Sequence, residues 1–191
     1  VNLVGPGGAS PAGSWTLQNT LNVTTLNHDA GAFNLNGKPV NAKFFNVRTA
    51  STRDLNLTGS TITITDGAWD MQTTANLTFS AGTSEIVING SSSSNFIGND
   101  RTYHNVRFTT GASLSSALTG QNSFNVFRVD PGLTLSMEAG KTQTINTLIA
   151  NGNCNNTLTI QSTAAGTRAK FFKASGSATA NFIHLKDNEA T

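Results

Sequence analysis

One cysteine, one tyrosine, four prolines and a charged fraction of only 12% deny this 191-residue chain several usual supports of a small domain. Cys154 stands alone, so no disulfide forms within the chain and stability must come from packing. Cys154 itself is expected to sit buried or half-buried as a small apolar group. No apolar stretch approaches the roughly 18 residues that a membrane helix needs. The net charge of +2 arises from cations scattered singly between Lys38 and Lys186. Nucleic acid would call for a clustered basic face with aromatic platforms, so it is not an expected partner. Val1 opens without the basic and apolar regions of a secretory leader, which reads as a mature or excised segment.

What fills the chain instead is 28 threonines and 23 asparagines. Low charge implies disorder, a membrane span, or a β-structure with a neutral polar surface. A hydrophobic content of 37%, arranged in alternating runs, excludes the first. Thr61-Ile62-Thr63-Ile64-Thr65 puts two isoleucines on one side and three threonines on the other. Ile86-Val87-Ile88, Leu133-Thr134-Leu135 and Leu158-Thr159-Ile160 read likewise, and no window carries a capped helical stripe. Asn36-Gly37, Asp66-Gly67, Asn89-Gly90, Asp130-Pro131-Gly132 and Asn151-Gly152 supply turns.

Seven glycines follow strand-like runs at nearly even steps: Gly37, Gly59, Gly82, Gly111, Gly132, Gly152 and Gly176. The gaps are 22, 23, 29, 21, 20 and 24 residues, the mark of a solenoid. The expectation is an all-β, right-handed parallel β-helix of about eight or nine coils of about 22 residues. At about 4.8 Å per coil it makes a rod of about 40 Å. Leu, Ile, Val and Phe fill the inside, and stacked Thr, Ser and Asn cover the outside without like-charge repulsion. The uneven 29-residue step points to an insertion around Gly90–Ser94. Residues 1–14 read as a Gly/Pro-rich entry segment or partial coil, and 15–191 as a β-helix segment of a longer protein. Neither end offers a charged or helical cap, so the ends are expected to meet neighbouring segments of a longer chain or other copies end to end.

Several phrases carry a resemblance. Trp15-Thr16-Leu17-Gln18, Gly31 to Lys38, Thr52 to Ser60, Asn76 to Ser84, Thr102 to Val106, Gly140 to Ile145 and Ala150 to Cys154 resemble a recurring β-helical module. It is similar to modules of very large secreted surface adhesins of Bacteroidota, of the gliding-adhesin type exported by the type IX system. Similar modules occur in virion proteins of tailed phages. The resemblance covers about Trp15 to Thr191 and implies a pectin-lyase-like fold, a surface location and no catalytic motif to carry over.

Catalysis on such a fold needs several carboxylates converging from neighbouring coils. The ten acidic residues here are dispersed. Asp66 and Asp70, flanking Trp69 around a turn, are one candidate sugar-contact group. Asp100, Arg101, His104 and Arg107 form the other dense polar group, although strand parity turns His104 away from the two arginines. His28, His104 and His184 have no short ligand spacing, so neither a metal nor a cofactor is expected. Thr-x-Thr pairs raise an ice-binding array, which Phe33–Val47 and Phe124–Val129 interrupt. The expected function is a non-catalytic structural and adhesive module of an extracellular cell-surface protein, with a surface glycan as a possible ligand. A phage tail or capsid-decorating fibre, on a virion surface, is the alternative, and a β-helical polysaccharide-processing enzyme the third.

Overall fold

The computed structural model describes residues 1–4, 13–90, 94–109 and 116–191. Gly111, residues 91–93 of the expected insertion and residues 5–12 of the entry segment lie outside them. Every regular element among the described residues is a strand. The first ten are β1 (Asn2–Leu3), β2 (Ser14–Thr16), β3 (Leu21–His28), β4 (Gly31–Asn34), β5 (Val40–Asn46), β6 (Arg53–Asn56), β7 (Thr61–Asp70), β8 (Leu77–Ser80), β9 (Glu85–Ile88) and β10 (Asn95–Ile97). There follow β11 (Thr102–Phe108), β12 (Ser116–Thr119), β13 (Ser123–Val129), β14 (Thr134–Met137), β15 (Thr142–Asn151), β16 (Leu158–Ser162), β17 (Ala169–Lys173), β18 (Ala178–Asn181), β19 (Ile183–Lys186) and β20 (Asn188–Ala190).

All ladders between these strands are parallel. The chain is therefore a parallel β-solenoid, in about eight turns of about 22 residues, and each turn crosses three faces. Because the pleat alternates, each face carries at least one register column that points inward. On the second face that column runs Leu21, Val40, Ile62, Ile86, Val106, Phe127, Leu148. On the third it runs Leu26, Phe45, Trp69, Phe96, Leu118, Met137, every member at most 1% exposed. On the first, Trp15, Phe33, Leu55 and Phe79 stack across β2, β4, β6 and β8. β1 pairs with the end of β3, so Asn2 and Leu3 already belong to the solenoid ahead of Trp15.

Outside, asparagines stack on asparagines. Asn27 Nδ2 donates to Asn2 Oδ1 at 2.6 Å, and Asn46 Nδ2 to Asn27 Oδ1 at 2.8 Å. Asn41 Nδ2 reaches Asn22 Oδ1 at 2.7 Å in a second column. An amide both donates and accepts, so it can repeat at every coil where a carboxylate or ammonium would meet its own charge. Asn27→Ala breaks two such bonds and leaves the buried Asn46 amide without that acceptor. The expected loss is about 1–2 kcal/mol in chemical denaturation. The threonines, in contrast, do not align as an array: Thr61 stacks on Glu85, and Thr63 on Val87 and then Arg107.

The glycine series marks two corners rather than one. Gly37, Gly59 and Gly82 turn the chain between first and second faces, and Gly176 does so again in the last coil. Gly132 and Gly152 turn it between second and third. From β11 onward the first and second faces fuse into single strands, β11, β13 and β15, and the turn residue moves to the next corner. That corner is nearly straight in the early coils. Val23 to Thr25 and Ala42 to Phe44 are two-residue steps; the equivalents lengthen to four residues from Ile64 to Ala68 and seven from Ile88 to Asn95. The equivalent steps in later coils, Phe108 to Ala117 and Val129 to Ser136, span nine and seven residues, so the step after Ile88 is not longer than those that follow it. The last step, Ala150 to Gln161, spans eleven residues and carries Cys154 into solvent, against the expectation of burial.

Candidate functional site

The first candidate group does not converge. Asp66 sits with φ 65° in the bulge of β7, at the corner between second and third faces. Trp69 is the centre of the core at 0% exposure, with Phe45 at 4.7 Å and Phe96 at 6.4 Å between ring centroids. Its indole Nε1 donates to Tyr103 Oη at 3.3 Å, and Tyr103 donates on to the Gly98 carbonyl at 2.8 Å. Burial pushes the Tyr103 phenol far above its ordinary value. Asp70 is 1% exposed and engaged: Arg48 Nε donates to its Oδ2 at 2.8 Å and Arg48 Nη2 to the same oxygen. Gln72 N donates to its Oδ1 at 3.0 Å. Neither Trp69 nor Asp70 is open to a ligand.

The second group is divided among three places. Arg101 Nη2 donates to the Thr74 carbonyl at 3.0 Å and, with Asn99 Nδ2 on the Gln72 carbonyl, closes the corner between third and first faces from above. Arg53, fully buried, holds the same corner from below: its Nη2 donates to the Thr73 and Ala75 carbonyls, both at 3.0 Å, and its Nε to the Ser51 carbonyl. Asp100 Oδ1 accepts from Gln121 N, a further staple. Arg107 lies on the second face. There it stacks on Arg128, and both clamp the buried Asp130, which accepts from Arg107 Nη2 at 2.6 Å and Arg128 Nε at 2.8 Å. The bond to Asp130 raises the Arg107 value further. One carboxylate thus offsets two like charges stacked in register.

His104 is half-buried and lines a cavity. It points outward from the first face, where Asn125 Nδ2 donates to its Nε2 at 3.3 Å; its Nδ1 is buried with no hydrogen-bond partner. It faces a cavity of about 500 Å³ between β8 and β11. The first-face sheet of β2, β4, β6 and β8 ends there, and β11 pairs with β9 and β13 instead. Phe79 forms part of the lining, with its ring 5.4 Å from that of Tyr103. No family model, curated protein or solved structure matches this chain. The site therefore has to be read from its own geometry.

Residue spacing pointed to His104 but not to Phe79, Asn125 or Asn146, its partners around the cavity. The available signal was the change of corner in the glycine series, since the fusion of faces at β11 is what separates it from β8. The loop around Gly90 is not part of this site, because it occupies the corner between second and third faces. Among the described residues no three His, Cys, Asp or Glu side chains come together as a metal site, and no helix is long and apolar enough to cross a membrane.

His28 is the one buried histidine among the described residues. Its Nε2 lies 2.9 Å from the Gly31 carbonyl, so that nitrogen carries the proton and the buried Nδ1 is left bare. Burial first, and then the Arg53 charge, lower its value below the ordinary 6.5 despite the Gly31 bond. As the pH falls below that ordinary value the unfolded chain takes up a proton that the folded one refuses. This contribution to stability is therefore present above about pH 6.5 and is lost on acidification. Thermal melts between about pH 7.5 and 5.5 will show this slope in the native chain and a smaller one in His28→Gln.

Proposed function

We propose that the chain is a non-catalytic structural and adhesive module of an extracellular cell-surface protein, a stiff rod presenting a polar surface. The observation that carries this reading is the division of labour between columns. Apolar residues stack inside, neutral amides stack outside, and the carboxylates of Asp70 and Asp130 are taken up by arginine clamps. The resemblance to modules of Bacteroidota surface adhesins points the same way. The coil is taken as right-handed, following the strong chirality preference of parallel crossovers. At its C-terminal end an apolar cavity of about 250 Å³ opens among Ile145, Leu148, Ile160, Phe171, Ile183 and Leu185. The partner assigned to that end is another β-coil in the same register, from the same polypeptide or from a second copy.

The test displays the intact chain on beads and measures retention on polysaccharide-coated surfaces, alongside incubation with uronans. Retention without released sugar ends is the expected result. Release of cleaved product, lost in Asp66→Ala, would replace the reading with a polysaccharide-processing enzyme. A stable trimer of the intact chain would move it to a fibre on a virion.

A further inference from the structure

We infer that the first-face cavity between β8 and β11 is a binding site for neutral carbohydrate, one or two uncharged pyranose rings of a glycan. The inference rests on the adhesive reading above and gives it a location and a ligand class.

The cavity exists because the fold changes at that level. Below it the first face is a separate sheet ending at β8; above it that face is the leading half of β11, β13 and β15. The ladder on the second face continues through β9 and β11, and Arg101 and Asn99 close the neighbouring corner. An open groove is left there, running from the edge of β8 over the outward faces of β11, β13 and β15, whose ladders hold its walls in place. Its volume of about 500 Å³ falls within the roughly 300–1,000 Å³ of small-ligand sites.

Its lining selects the chemistry. Outward columns on β11, β13 and β15 bring Thr102 into register with Ser123 and Thr144, beside His104, Asn125 and Asn146. These hydroxyls, amides and an imidazole both donate and accept, as sugar hydroxyls do. Phe79, half-buried at the end of its inward column, leaves part of its ring in the wall as an apolar patch for pyranose C–H groups. Among the lining residues there is no Asp, Glu, Lys or Arg. The lining itself thus offers a uronate, sulfated glycan or nucleic acid no lysine or arginine, and a cationic ligand no carboxylate, while the Lys173 ammonium beside it is bound to the Asn146 carbonyl at 2.6 Å.

The experiment titrates the intact chain with neutral trisaccharides of glucose, galactose and mannose, and with a trigalacturonate, followed by amide NMR shifts. At least one neutral series should saturate, with perturbations confined to residues 79–82, 102–104, 123–125 and 144–146. The double variant Asn125→Ala/Asn146→Ala should weaken that binding about tenfold or more, through the loss of two neutral hydrogen bonds. Its melting temperature should fall only by a few degrees, since the bond lost within the chain is the 3.3 Å one from Asn125 to His104. Binding of the trigalacturonate at this cavity with equal strength would overturn the inference, as would neutral-sugar binding unchanged in the double variant. If no sugar perturbs the cavity while the beads still adhere, the site is refuted and the adhesive reading stands. If the beads also fail to adhere, both fall.

Discussion

Trp69→Ala will destabilise the fold by about 3–5 kcal/mol, toward the top of the range for a large buried side chain. Its indole is fully buried and stands mid-column, with Phe45 on the coil below, Phe96 on the coil above and Tyr103 edge-on at 6.3 Å. In a helical protein a hole can shrink as elements slide toward it. Here both neighbours are carried by strands that pair with β7 itself, so backbone hydrogen bonds set the coil spacing and the walls cannot close. Tyr103 keeps its bond to Gly98, so the loss is one of packing and not of an orphaned hydroxyl. Urea denaturation followed by far-ultraviolet circular dichroism measures it, with the exposed Phe182→Ala as a near-neutral reference. A loss below about 1 kcal/mol would show that the third-face column is not the tightly packed centre described above.

Gly67→Ala will cost about 3 kcal/mol or more, through a different mechanism. Gly67 closes the bulge where β7 places Thr65, Asp66 and Gly67 opposite the single residue Lys43 of β5. A Cβ built there lies 2.0 Å from the Lys43 carbonyl oxygen and 2.8 Å from its carbon. Those are backbone atoms held in a ladder on both sides of the bulge, so no rotamer change relieves the overlap. Gly140→Ala is the control. Its φ of +76° imposes left-handed strain, but nothing lies within 4 Å of the added carbon. That variant should lose only about 1–2 kcal/mol, and the difference isolates the close approach from conformational strain. Equal losses would mean that the bulge yields and that close approach is not why glycine stands at position 67.

The elements of the fold were legible to different degrees. Thr61-Ile62-Thr63-Ile64 shows its inward and outward sides by alternation alone, and the structure buries Ile62 and Ile64. The glycine period is long enough to imply stacked coils, because a repeat of that length cannot bury its own apolar side and must stack on a copy. Which corner a glycine turns was not legible. Gly82 and Gly132 follow similar strand-like runs but close different corners, a difference visible only once β8 and β9 are seen as separate strands and β13 as one. Trp69 and Asp70 illustrate the limit for sites. A tryptophan beside an aspartate at a turn suits a sugar contact as well as a core anchor. What decided between them was pairing with the coil below, which puts the indole in register with the inward Phe45 and Asp70 over Arg48. Arg101 and Arg107 are only six residues apart, yet one staples a corner while the other clamps Asp130 on the next face.

The sequence by itself determined that this chain is all-β, that its coils repeat about every 22 residues, and that its exterior is neutral and polar. Those properties follow from alternation, period and composition, which act locally and recur in every coil. Only the tertiary structure decided where the coil departs from its own repeat. The fusion of two faces at β11, the cavity it opens beside His104 and the capture of Asp70 and Asp130 by arginines depend on residues about twenty or more positions apart. Their register is set by backbone ladders between coils, which keep the inward columns in line while the corners between them lengthen.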